Sequence, residues 1–116
     1  MPEENKTLYN LEEVGPVTII HFTVDMLANL PLDRLYHDVE AHGSNRLVLD
    51  FSTVTMINSH SLVAFVSLRR KVLNQGGKIA LYGLEPNLVE LFERSRLRNF
   101  FPIFEHRDEA LATVTG

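Results

Sequence analysis

The sequence has no cysteine and no tryptophan, and only six glycines in 116 residues. Without cysteine there is no disulfide, no thiolate metal site and no thiol nucleophile, and a reduced, cytoplasmic setting fits. No glycine lies in the loop that follows the most apolar strand pattern, so the cradle a dinucleotide pyrophosphate needs is missing. The one adjacent pair, Gly76-Gly77, follows a helical pattern instead. No apolar run approaches the roughly 20 residues that span a bilayer, so no membrane insertion is expected. The first residues, Met1-Pro2-Glu3-Glu4-Asn5-Lys6, are acidic and lack the apolar block of a secretory signal. A basic excess is also missing. Eleven Lys and Arg against fifteen Asp and Glu give a formal charge of −4, which argues against a nucleic-acid partner. His-x-x-x-His pairs and carboxylate-rich ligand sets are absent from the sequence, so neither metal nor cofactor is expected.

What is there is an ordinary globular composition, 45% hydrophobic and 22% charged. The length suits one domain over residues 1–116, with a core from about 7 to 114. One stretch organises it. Leu47-Val48-Leu49-Asp50-Phe51 has four apolar residues in five positions, without strict alternation, and reads as a strand buried on both faces. It leads through Ser52 to Ile57 into a polar tetrapeptide, Asn58-Ser59-His60-Ser61, which opens an apolar helix.

Before that stretch, Thr7 to Val14 alternates as an edge strand, Gly15-Pro16 turns, and Val17 to Phe22 is β-branched and aromatic. The two strands predict an antiparallel hairpin. Thr23 to Leu30 is mixed and reads as a loop. Pro31 suits the first turn of a helix carrying Leu32, Leu35, Tyr36 and Val39, stopped at His42-Gly43-Ser44-Asn45. The helix from about Ser59 to Asn74 has Leu62, Phe65, Val66, Val72 and Leu73 as its predicted inner stripe, widened by Val63, Ala64 and Leu68. Lys78 to Gly83 is the next strand, parallel to the key strand through a right-handed crossover. A helix starting at Glu85-Pro86-Asn87, a short strand at Pro102-Ile103-Phe104 and a helix from Asp108 to Val114 complete the chain. The order β-β-α-β-α-β-α-β-α is that of an α/β layer fold.

The tetrapeptide has two readings. Asn58 or Ser59 can cap the free amides of the first helical turn. Alternatively, a phosphoryl group on Ser59 would sit at the positive end of the helix, where the fold tolerates a dianion and a docked partner does not. A catalytic triad is not supported: adjacent Ser59 and His60 point about 100° apart at a helix start, and elbow glycines are missing. His37, Asp38, Glu40 and His42 could at most hold a metal adventitiously. Arg69-Arg70-Lys71 with Arg94, Arg96 and Arg98 form the densest basic set, a solvated helix end or, if they converge, a surface for an acidic partner. Asp50 as a phosphoacceptor would need an acidic pair after an early strand, and Phe22-Thr23-Val24-Asp25 supplies one acid at most.

The pattern Leu47-Val48-Leu49-Asp50-Phe51-Ser52-x-Val54-x-x-Ile57-Asn58-Ser59-x-x-Leu62 resembles the signature of the STAS domain. That family includes bacterial anti-sigma factor antagonists and the cytoplasmic tails of sulfate transporters. The resemblance continues through Gly76-Gly77-Lys78 to Pro86, through Arg96-Leu97-x-x-Phe100-Phe101-Pro102-Ile103-Phe104, and into Glu109-Ala110-Leu111. It implies a mostly parallel sheet with an N-terminal antiparallel hairpin and helices mainly on one face. It also implies a non-enzymatic switch. An antagonist of this type binds a serine-kinase anti-sigma factor that phosphorylates the serine at the helix start, and a protein phosphatase reverses it. Ser59 falls on the acceptor position of the family's Asp-Ser-[Ser/Thr]-Gly motif. Asn58, His60 and Ser61 depart from that motif, and Asp25 stands where a Gly-Glu-Leu-Asp-like segment is common. These four are the implied partner contacts. A scaffold or ligand-sensing module that is never phosphorylated is the alternative.

Overall fold

The computed structural model describes residues 8–43 and 45–115, so the polar end Met1–Lys6, Thr7 and Ser44 of the helix stop lie outside the described residues. Strands β1 (Tyr9–Val14) and β2 (Val17–Phe22) pair antiparallel, with Val14 opposite Val17 across Gly15-Pro16. Gly15 supplies the positive φ, 58°, that this tight connection requires. Then come β3 (Met26–Leu27), α1 (Leu32–Ala41), β4 (Arg46–Asp50), β5 (Met56–Ile57), α2 (Ser59–Asn74) and β6 (Lys78–Tyr82). The remaining elements are α3 (Pro86–Arg94), β7 (Ile103–Phe104) and α4 (Arg107–Thr115). The main sheet runs β1-β2-β4-β6-β7, parallel everywhere except the first pair.

The expected order gains two short strands. Thr23–Leu30, read as a loop, contains β3, and the segment after β4 contains β5; they pair parallel with each other, outside the main sheet. Two-residue strands carry too little pattern to register in a sequence. Pro31 lies one residue earlier than expected, at the N-cap, where its carbonyl accepts from the Leu35 amide at 3.0 Å.

β4 is buried on both faces, as its unbroken apolar run requires. Leu47 and Leu49 join Ile20, Phe22 and Leu81 beneath α1, α2 and α3, while Val48 joins Val17, Ile19 and Ala80 beneath α4. Three helices therefore cover one face and one covers the other. Five phenylalanines, Phe22, Phe51, Phe65, Phe92 and Phe101, form a chain of tilted or edge-on ring contacts through the larger core, with centroids 5.2 to 6.4 Å apart.

The stripe of α2 differs from the expected one. Its buried residues are Ser61, Ala64, Phe65, Leu68 and Val72, whereas Val63 is 65% and Leu73 41% exposed. Positions 61, 64, 65, 68 and 72 follow a 3.6-residue period, and two of them are small. Apolar identity at 63 and 73 misled the sequence reading; the period decides. At the other end, Gly76 takes φ 76°, and Gly77 allows a close backbone approach. A Cβ on Gly77 would stand 1.9 Å from the Asn45 carbonyl oxygen.

Candidate functional site

The loop leaving β4 is fixed from its first residue. The Asp50 carboxylate accepts from the Ser52 amide at 2.8 Å and from the Ser52 hydroxyl. The amides of Thr55 and Met56 then both donate to the Asp25 carbonyl, at 2.7 and 3.0 Å, and the Thr55 hydroxyl adds a third bond at 3.1 Å. The Asn58 amide donates to the Leu27 carbonyl at 3.0 Å. Segment 25–30 is thus a strap that holds the entry to α2.

Asn58 has extended backbone and caps the helix: its Oδ1 accepts from the Ser61 amide at 2.9 Å and, at 3.4 Å, from the Asn29 amide. Asn29 has φ 57°, a conformation asparagine tolerates better than most residues. The Ser61 hydroxyl oxygen accepts from the Leu30 amide at 3.2 Å. Ser61, expected among the surface contacts, is fully buried. Its position on the inner stripe turns it toward the strap, away from the exposed surface.

Ser59 and His60 are exposed, Asn58 is half-buried, and Asp25 is exposed on the neighbouring strap. The structure therefore brings Asp25, Asn58, Ser59 and His60 to one end of α2. The first turn of α2 has no acidic residue, so no carboxylate of its own offsets the positive helix end. Met26 and Met56, opposite each other in the β3–β5 pair, are 49% and 55% exposed. His60 and the exposed Val63 line a groove of about 560 Å³ between α2 and the start of α1, with Pro31 and Arg34 on the α1 side. The sequence reading missed the two methionines. Their only signal was Met26-Leu27 and Met56-Ile57, apolar pairs in segments of mixed composition.

A second polar group occupies the α4 face. His21 on β2 reaches Asp50 Oδ2 with Nδ1 at 2.6 Å and Glu12 Oε1 with Nε2 at 2.7 Å. Arg107 donates to both Glu12 oxygens, at 3.2 and 3.0 Å. Burial opposes charge on His21, but the hydrogen bonds and charges of Glu12 and Asp50 prevail and raise its pKa. Burial likewise opposes charge on Asp50, yet bonds from Ser52, His21 and Tyr82 lower its pKa. Burial first, then Asp50, pushes the Tyr82 hydroxyl up to about 12. Both Asp50 oxygens are engaged in this network, which gives the carboxylate a structural role. Among the described residues, no group of three His, Cys, Asp or Glu could hold a metal ion. None of the described helices is long and apolar enough to cross a membrane.

The basic set does not converge. Arg98 pairs with Glu93 at 2.8 Å, and Lys71 lies over the Tyr36 ring, while Arg69 lies over Phe100.

An open α/β sheet that presents a strapped, uncharged helix start among exposed apolar side chains has the build of a regulatory protein-binding domain. The chain belongs to the STAS domain family, whose model matches residues 9–110. It is 30% identical over 70 residues to BtrV of Bordetella bronchiseptica, a candidate anti-sigma factor antagonist. That match covers 60% of this chain and 60% of the relative. An anti-sigma factor antagonist from Mycobacterium paratuberculosis superposes with a TM-score of 0.78 at 20% identity, over 93% of each chain. SpoIIAA of Bacillus, an anti-sigma factor antagonist in its unphosphorylated form, gives 0.74 at 16% identity, over 93% of this chain and 96% of its own. At these identities the two structures speak for the fold.

Proposed function

We propose that this STAS domain is a non-enzymatic anti-sigma factor antagonist that docks a serine-kinase anti-sigma factor through the start of α2. The observation that carries the reading is an exposed Ser59 between a capping Asn58 and a buried Ser61, with exposed Val63 one helical turn on and exposed Met56, paired to Met26, three residues before it. Methionine pairs suit such a face because their flexible, polarisable side chains adapt to a partner's contour. Ser59 is the phosphoacceptor, Asp25, Asn58 and His60 are partner contacts, and a phosphatase resets the switch. A dianion on Ser59 is compatible with the helix end that carries it. The same charge in a desolvated interface is not.

The test is isothermal titration calorimetry of a cognate anti-sigma kinase against wild type and Ser59→Asp. The expected outcome is about tenfold or more weaker binding, ~1.4 kcal/mol, with an unchanged melting temperature. Equal affinity of the two forms rejects the charge switch. Mass spectrometry after incubation with kinase and ATP reads modification of Ser59 itself.

A second reading rests on Asn58. With the carboxylate of the family motif replaced by a neutral amide that serves as the cap, the domain works as a scaffold whose partner binds without modifying Ser59. Stable binding with no mass change on Ser59 selects it.

A further inference from the structure

The far half of α2 carries a second surface, from Val66 to Leu73, that lies ~10 to ~21 Å from Ser59 along the helix axis at 1.5 Å per residue. Leu73 and Phe100 are 41% and 47% exposed there, large apolar side chains only partly covered. They flank a hollow of about 310 Å³ lined also by Val66, Arg69 and Arg70. A neighbouring hollow of about 280 Å³ shares Arg69, Leu73 and Phe100 and extends past Lys78 and Pro102. Leu73 and Phe100 thus border both sockets, whose other apolar walls are Val66 and Phe101 in the first and Ile79 and Pro102 in the second. Neither socket is lined by an aspartate or glutamate, although the chain as a whole is acidic at −4.

Arg69 is already in place for a carboxylate. Its Nε donates to the Phe100 carbonyl at 2.7 Å, and its guanidinium lies 4.9 Å from the Phe100 ring centroid. A carbonyl behind and a ring beneath fix the fork, so little further side-chain entropy is lost on pairing. Among the described residues, no carboxylate forms an ion pair with Arg69, Arg70 or Lys78.

The geometry points to this trough as the docking site for an acidic amphipathic helix of a partner protein, distinct from the surface at Ser59. Two apolar anchors one helical turn apart fill the two sockets. Glutamates or aspartates on the flanks pair with Arg69, Arg70 and Lys78. Charge complementarity selects this occupant over a basic helix, and apolar sockets select it over a simple polyanion. The α2 helix then presents one partner surface at each end, and both can be occupied together.

The probe is a 16-residue capped peptide with leucines at i, i+3, i+4 and i+7 and glutamates elsewhere, read by fluorescence anisotropy and by amide shifts of labelled protein. The peptide should bind with shifts concentrated at residues 66–73 and 99–102, weaken with added salt, and ignore Ser59→Asp. Arg69→Glu with Arg70→Glu should lower affinity at least tenfold, while a lysine-for-glutamate peptide should bind that variant better than wild type. Arg70→Glu with Lys78→Glu keeps the Arg69 contact with Phe100 and should show the same direction if the first variant folds poorly. Unchanged affinity in the charge-reversed variants, or shifts centred on 59–63, overturns the proposal. So does tighter, Arg69- and Arg70-dependent binding of an oligothymidylate or of anionic vesicles. Self-association lost in the same variants assigns the trough to a second copy and equally overturns it.

Discussion

At the scale of single residues, Asn58 shows how much one side chain organises. Its amide, its carbonyl and its Oδ1 each make a bond, to Leu27, Leu62 and Ser61 respectively, so strap and helix meet in one residue. Asn58→Ala removes the side-chain acceptor and should cost about 1 kcal/mol in urea denaturation, the usual cost of losing a cap. Asn58→Asp keeps the acceptor, adds negative charge at the positive helix end, and should match or exceed wild-type stability. If Asn58→Ala is neutral, the cap is not what holds this entry. The capping role was legible in the sequence because Asn-Ser before an apolar run is a start signal. The burial of Ser61 was not: a serine in a polar tetrapeptide reads as surface until the helix phase is known. The partner of its hydroxyl, Leu30, comes from a segment that carries no periodic pattern.

At the scale of elements, the charged group around His21 ties four strands and a helix together without apolar contact. Glu12 of β1, Asp50 of β4, Tyr82 of β6 and Arg107 of α4 are the titratable and charged groups around the imidazole. The His21 pKa is raised on folding, so its contribution is fully present below its unfolded value, ~6.5, and is lost as pH rises through the folded value. Asp50 is lowered chiefly against burial by Ser52 and His21, and Glu12 by Arg107 and then His21. Their contributions are present above ~4 and are lost as pH falls through the folded values. Stability should therefore be highest between the two ranges and decline as pH rises through the folded His21 value. His21→Gln should flatten the alkaline decline and reduce the acid one, which Ser52 and Arg107 still sustain in part. Urea midpoints at several pH values check this, and an alkaline slope unchanged in His21→Gln rejects it. The sequence could not show this network. Its members lie at 12, 21, 50, 82 and 107, and only strand order and register make them neighbours. The strands themselves were legible, since β-branched runs bounded by Gly and Pro mark them locally.

At the scale of the whole molecule, the two sheet faces divide the work. The face beneath α1, α2 and α3 carries the larger core and the candidate docking surfaces, and the face beneath α4 carries a smaller core of Val17, Ile19, Val48, Ala80, Ala110 and Val114. Shared strands join the cores, because each buried position on β2, β4 and β6 backs onto one facing the other way. Damage on the α4 side should therefore unfold the whole domain cooperatively rather than release one helix. Ala110 is fully buried against that sheet face, and apart from Tyr82 the buried residues of that cluster are aliphatic. Ala110→Asp should cost on the order of 3 kcal/mol through an unpaired buried carboxylate. For a domain near this size that lowers the melting temperature by roughly 10 °C or more, in one transition. Ser59→Asp, on an exposed helix start, should leave it within about 2 °C of wild type. Calorimetric scans of the two variants separate what holds the fold from what faces a partner. Two resolved transitions in Ala110→Asp, with the larger core melting at the wild-type temperature, would show that α4 is an independent flap and that the two faces are not coupled.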